Sequence, residues 1–168
     1  MSNEINVRLG GVDDLSTLVS FNQAMARETE AKELDLDVLQ AGVENLIRNK
    51  QHGFYVVAEV VSPAHRVVAG SLMVTFEWSD WRNGIFWWVQ SVYIKPEYRR
   101  RGIYRRLYEF VKETAASQAD VRGFRLYVEK ENRVAQHTYE QLGMLETHYL
   151  MYEEECRDHN RGRVQETL

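Results

Sequence analysis

The sequence predicts a mixed α/β fold, a sheet with helices on its faces, and three observations predict it. Apolar runs of strand length and amphipathic stretches follow one another as strand, two helices, three strands, helix, strand, helix, strand. Residues 54–61 and 67–78 are two such runs joined by a Ser-Pro-Ala-His turn, which reads as an antiparallel hairpin. Ile85 to Ile94 is mostly β-branched and aromatic, is bounded by Asn83-Gly84 and by Pro96, and is too short to cross a membrane. It reads as a central strand buried on both faces.

Each element has its own signal. Residues 5–9 alternate as a first strand and Gly10-Gly11 ends it. An acidic helix start at Asp13-Asp14 precedes Leu15, Leu18, Val19, Asn22 and Met25, which share one helical face. That helix runs into an acidic stretch with Glu28, Glu30, Glu33, Asp35 and Asp37, whose plain reading is a solvated connection between helices. Asp35 or Asp37 can cap a second helix with Leu39, Val43, Leu46 and Ile47 on its apolar face. After the hairpin, Arg82-Asn83-Gly84 turns the chain back into the central strand. Ile103, Leu107, Phe110, Val111 and Ala115 then mark a helix beginning near Gly102. Asp120 to Gly123 reads as a break, 124–128 as a short strand, and 144–152 as a last strand. The expected organisation is one domain over residues 1–155 and a polar, frayed tail over 156–168.

Composition bounds the function. With 44% hydrophobic and 27% charged residues the chain has the balance of a soluble globule. It has no run of about eighteen apolar residues and its start lacks the regions of a signal peptide, so a cytoplasmic location and no membrane partner are expected. Cys156 is the single cysteine and cannot form an internal disulfide. The five histidines show no paired metal-ligand spacing, so no metal is expected. A net charge of −4 argues against nucleic acid, while the cations gather at Arg99 to Arg106. A local basic patch on an acidic protein suits a small anionic cofactor.

Two constellations carry chemistry. Between the central strand and the next helix stand Arg99, Arg100, Arg101 and Gly102. A helix start leaves backbone N–H groups unpaired, and a glycine lets a ligand approach closely, so this turn suits a phosphate or pyrophosphate; a solvated turn is the alternative. Farther on, Asn132, Ala135 and Tyr139 fall at spacings of three and four, which puts them on one helix face, with Gly143 placed as a C-terminal cap.

Together these segments resemble the acyl-CoA binding core of the GCN5-related N-acetyltransferases (GNAT). That family's pyrophosphate loop has the form (Arg/Gln)-x-x-Gly-x-(Gly/Ala), here Arg99-Arg100-Arg101-Gly102-Ile103-Tyr104. Its following helix has the form Asn-x-x-Ala-x-x-x-Tyr-x-x-x-Gly, matched by Asn132, Ala135, Tyr139 and Gly143. The resemblance implies the GNAT acyl-CoA N-acyltransferase fold, a mixed, mostly antiparallel sheet of six to seven strands flanked by helices. It also implies acetyl-CoA as co-substrate and transfer of its acetyl group to a primary amine by direct attack in a ternary complex.

The resemblance assigns roles to residues. The backbone of Val92, Tyr93 and Ile94 would pair with the pantetheine arm, with the N–H near Val92 holding the oxyanion. Arg99 through Arg105 would hold the pyrophosphate, Asn132 and Ala135 the arm, and Tyr139 would protonate the leaving thiolate. By itself Tyr139 also reads as a helix tyrosine packed on the sheet. Two positions depart from the family pattern. Tyr104 replaces the last Gly or Ala and is expected to crowd the loop backbone. Gln90 stands where many members carry a glutamate base, and an amide cannot take up the proton.

For the base, Glu77 ranks first and Glu28 next. Glu30, Trp78, Asp80 and Gln90 are expected at the acceptor, and the acidic and aromatic surroundings favour a small cationic amine. The four tryptophans between residues 78 and 88 could equally fill the core or a homodimer contact. The alternative functions are a non-catalytic acyl-CoA sensor module and an acetyltransferase acting on protein lysines or N-termini.

Overall fold

A computed structural model describes residues 4–63 and 65–154. The chain divides into two compact units after Lys130. The first contains β1 (Glu4–Leu9), α1 (Leu15–Glu30), α2 (Leu36–Arg48), β2 (Gly53–Val61), β3 (Arg66–Ser79), β4 (Gly84–Ile94), α3 (Ile103–Ala116) and β5 (Val121–Arg125). The strands form one sheet in chain order, antiparallel from β1 to β4, with β5 parallel to β4. A parallel pair needs a crossover, and α3 supplies it.

The sheet is covered on both faces by the amphipathic stripes of the helices. On one face Leu18 of α1 and Val43 and Leu46 of α2 pack with Tyr55 and Val57 of β2, and Met73 of β3 joins them. On the other, Trp87 meets Phe54 and Phe124 edge-on, with centroids at 5.1 and 6.3 Å, and Phe124 meets Tyr108 of α3 at 5.7 Å. Val56, Val57 and Ala58 have no exposed surface, which explains why β2 reads as a near-continuous apolar run. The charge inside that run, Glu59, is buried and compensated. Arg8 of β1 reaches it at 2.8 Å and holds the buried Asp14 at 2.7 Å with its other terminal nitrogen.

Local signals account for most boundaries. Asp35 caps α2, its Oδ1 accepting from the N–H groups of Asp37 and Val38 at 3.0 and 3.2 Å. In α1 the buried stripe includes Phe21 and Ala26, and the expected Met25 is only half-buried. In α3 Tyr104 and Tyr108 are buried where Phe110 was expected, and Phe110 is half-buried, because the stripe is wide enough to take adjacent positions. The short strand lies at 121–125 rather than 124–128. Gly123, read from sequence as part of a break, sits inside β5 because the Phe86 ring lies where its Cβ would be, 2.8 Å away.

In the second unit α4 spans Arg133–Gln141. Asn132 caps it, its side-chain oxygen accepting from Ala135 N–H at 3.1 Å. Past its end Gly143 adopts φ 90°, and the N–H of Met144 returns to the Tyr139 carbonyl at 3.1 Å. Residues 144–152 form no strand, contrary to expectation, so the described residues hold five strands rather than six to seven. Apolar alternation specifies a strand only where a ladder pairs its backbone. Cys156 and the tail 156–168 lie outside the described residues. No helix among the described residues is long and apolar enough to cross a membrane.

Candidate active site

Two breaks in regularity define the site on β4. The first is a bulge. Ser71 pairs with Tyr93 and Met73 with Gln90, so Ser91 and Val92 together oppose Leu72 alone. Ser91 takes φ 48°, a left-handed conformation that a non-glycine residue adopts at a cost of about 1–2 kcal/mol. Such strain persists where the surrounding structure enforces it, and here it re-aims the backbone at Val92. The second break is on the opposite edge. The parallel ladder of β4 with β5 ends at the pair Trp88 and Arg125, so among the described residues β4 from Val89 to Ile94 has no strand on that side.

This open edge leads to the loop before α3. Gly102 has φ 74°, and apart from its chain neighbours no described residue comes within 4 Å of where its Cβ would project. Among the described residues no side chain caps α3. The left-handed Gly102 followed by helical Ile103 turns successive N–H groups to one side, which together with the positive helix end makes an anion cradle. Arg100, Arg101 and Arg105 make no ion pair among the described residues, Arg101 lying over the Tyr98 ring at 5.3 Å. Arg99 differs. Its side chain folds back, donating to the Ile94 carbonyl at 2.9 Å and to Glu28 Oε2 at 2.6 Å, so only its backbone faces the loop. Tyr104, expected to crowd the cradle, buries its ring against Tyr108, stacked at 6.1 Å.

The carboxylates are all engaged. Glu28 also accepts from the Tyr93 hydroxyl at 3.1 Å, tying α1 to β4. Burial, with the Glu28 carboxylate beside it, pushes the Tyr93 phenol above its ordinary value. Glu30 pairs with Lys32 at 2.6 Å. Glu77 lies beside β4. Its Oε1 accepts from Arg125 Nη1 at 2.6 Å and its Oε2 from the Trp88 indole N–H. Gln90 donates to Thr75 Oγ1 at 2.8 Å on the same face. Asp80 accepts from the Trp81 N–H at 2.8 Å in an exposed turn.

The tryptophans separate. Trp87 is core, Trp88 is half-buried beside Glu77, and Trp78 and Trp81 are exposed at 60% and 86%. Strand alternation puts Trp78 on the sheet face opposite Glu77. In the second unit Asn132, Ala135 and Tyr139 lie at helical spacing along α4, and burial raises the Tyr139 phenol above its ordinary value.

Sequence reasoning missed Arg125 and Thr75. A lone arginine inside the apolar run 124–128 was the signal for the first, since a charge in a strand needs a partner; a threonine in a strand carries none.

Solved structures share the fold. A crystal structure of a possible acetyltransferase from Clostridium difficile 630 is 47% identical, covers 90% of this chain and 97% of its own, and superposes with a TM-score of 0.81. A predicted acetyltransferase with acetyl-CoA from Clostridium acetobutylicum is 17% identical, with 90% and 96% coverage and a TM-score of 0.72. An aminoglycoside N-acetyltransferase in complex with CoA is 15% identical, with 92% and 97% coverage and a TM-score of 0.68. At those identities the last two share the fold alone. No curated protein matches the chain. The model of the acetyltransferase (GNAT) family matches residues 18–144, most of the length, and the chain therefore belongs to that family.

Proposed function

We propose that the protein transfers the acetyl group of acetyl-CoA to a primary amine by direct attack in a ternary complex. The observation that carries this reading is the open edge of β4, running from the bulge at Ser91 and Val92 to the uncapped N-terminus of α3. An extended pantetheine arm can add to that edge as a strand does, pairing with the backbone of Val92 and Ile94. The re-aimed N–H at Val92 stabilises the oxyanion that forms on the thioester carbonyl. The pyrophosphate rests on the amides from Gly102 to Arg105, with Arg100, Arg101 and Arg105 supplying charge.

Three proton movements complete the transfer. The ammonium gives its proton to Glu77, directly or through water, and the freed nitrogen pair attacks the carbonyl carbon. Glu28 ranks second: like Glu77 it has both oxygens engaged, here by Tyr93 and Arg99, and the Arg99 pair ties it to the loop rather than to the face that carries Gln90. The C–S bond breaks, Tyr139 donates its proton to the departing thiolate, and the second proton that the attacking nitrogen sheds as the amide forms passes through water to the resulting phenolate. Burial keeps that phenol protonated at neutral pH, as an acid must be. Asn132 and Ala135 contact the arm, Asn132 through whatever capacity its cap leaves. Gln90 borders the acceptor on the Glu77 face, while Trp78, on the opposite face at the exposed end of β3, and Asp80, just past it, would meet only a part of the acceptor that extends round the strand end. Glu77, Glu28 and Glu30 each already pair with a cation of the chain, so these carboxylates offer little unpaired negative charge to an acceptor with further cations.

The test pairs binding with turnover. Tyr139→Phe is expected to keep acetyl-CoA affinity while lowering kcat about 100-fold or more, as loss of a general acid does. Wild-type turnover in that variant refutes the assignment of Tyr139.

A further inference from the structure

We infer that the acceptor is a primary amine carrying its own anionic group, a carboxylate or a phosphate, and that Arg125 selects it. The inference rests on the transfer proposed above and concerns the same site. Arg125 is the last residue of β5 that pairs with β4, opposite Trp88, so it stands where the edge of β4 begins to open. Arg125 thus stands two residues along β4 from Gln90, and Glu77, opposite Phe86, stands four residues from it, which places the pair about 7–13 Å along the strand from Gln90.

The geometry makes the pair exchangeable. The side chains of Arg125 and Glu77 are 34% and 39% exposed, and an ion pair so exposed is weak and opens readily. The Arg125 guanidinium lies 3.9 Å over the Phe86 ring, which keeps its plane as it swings out of the ion pair. A guanidinium has five N–H donors in a planar fork suited to a carboxylate or phosphate. Trp88 holds Glu77 from the other side through Oε2, so Glu77 stays in place as Arg125 turns away.

The charges decide between acceptor classes. Glu77 and Arg125 sum to zero, so a polycation meets a positive group 2.6 Å from the carboxylate it needs. A zwitterionic acceptor instead exchanges one ion pair for two. Its anion takes the guanidinium, and its ammonium takes the Glu77 oxygen so released. Binding the correct acceptor thereby frees Oε1 to receive the ammonium proton before the nitrogen attacks.

The experiment uses matched primary amines at saturating acetyl-CoA: β-alanine, phosphoethanolamine, ethanolamine and ethylenediamine. The kcat/KM of wild type is expected to favour an anionic member over ethanolamine and ethylenediamine by about tenfold or more, carried by KM. Comparing β-alanine with phosphoethanolamine identifies the anion. Arg125→Gln is expected to remove the preference and Arg125→Lys to restore part of it, with melting temperatures establishing that each variant is folded. Turnover without an anionic preference, or a preference that survives Arg125→Gln, overturns the inference and leaves the transferase reading intact. Turnover of no amine by a protein that binds acetyl-CoA overturns both.

Discussion

Replacing Gly102 with alanine separates ligand binding from folding at the α3 N-terminus. Apart from its chain neighbours, no described residue lies within 4 Å of the added Cβ, so no clash is expected and the cost is that of holding an L-residue at φ 74°. That cost is about 1–2 kcal/mol. For a chain of this size each kcal/mol lowers Tm by about 2–4 °C, so a fall of about 2–8 °C is expected. Binding suffers more, because the methyl group projects into the space a pyrophosphate needs to reach the helix amides. Loss of one hydrogen bond to a charged group costs about 1.5–3 kcal/mol. In Kd for acetyl-CoA that is about tenfold to just over a hundredfold. Thermal melts and calorimetric titration with acetyl-CoA measure the two effects. Gly42→Ala is the control: it lies inside α2 in open space, should gain about 0.5–1 kcal/mol of stability, and should leave the Kd unchanged. A Gly102→Ala protein with lowered Tm and wild-type affinity refutes the pyrophosphate cradle.

Three further outcomes concern the scaffold. Asp35→Ala removes the α2 cap and is expected to cost about 1 kcal/mol, read by denaturant unfolding with an unchanged m value. Gly53→Ala puts a Cβ 1.9 Å from the Val74 carbonyl oxygen at φ 147°, and circular dichroism should show loss of the folded sheet. Asp14 is pulled two ways: burial raises its pKa, but hydrogen bonds from Arg8 and Gly11 outweigh burial and hold it below its ordinary 3.8. A depressed carboxylate stabilises fully above its unfolded value and loses that contribution as pH falls through its folded one. Melting curves should therefore drop below about pH 4, and Asp14→Asn should flatten that acid limb.

The fold was legible wherever a local pattern decides it. The strands from β1 to β4, most positions of the helical stripes and the helix ends at Asp35 and Gly143 depend on neighbours within a few residues, and these emerge as read. What depends on distant partners was not legible. The bulge at Ser91 and Val92 is a matter of register against β3, and nothing in Gln90-Ser91-Val92 announces it. Glu28 looked like part of a solvated acidic stretch, yet it joins Tyr93 and Arg99 across 65 and 71 residues. Gly123 looked like a break because the Phe86 ring that requires it is remote in sequence. The apolar alternation of 144–152 suggested a strand, but alternation alone supplies no ladder partner. At the site, the two motifs named the loop and the α4 residues, while the partners that engage each carboxylate came only with the structure.

The most direct measurement is mass spectrometry of pooled primary amines incubated with acetyl-CoA and the protein, with released CoA quantified alongside. The account predicts at least one amine heavier by an acetyl group, CoA release matching product, and a sharp fall in both for Tyr139→Phe. Binding of acetyl-CoA with neither acetylated amine nor CoA release would contradict it and point to a sensor module.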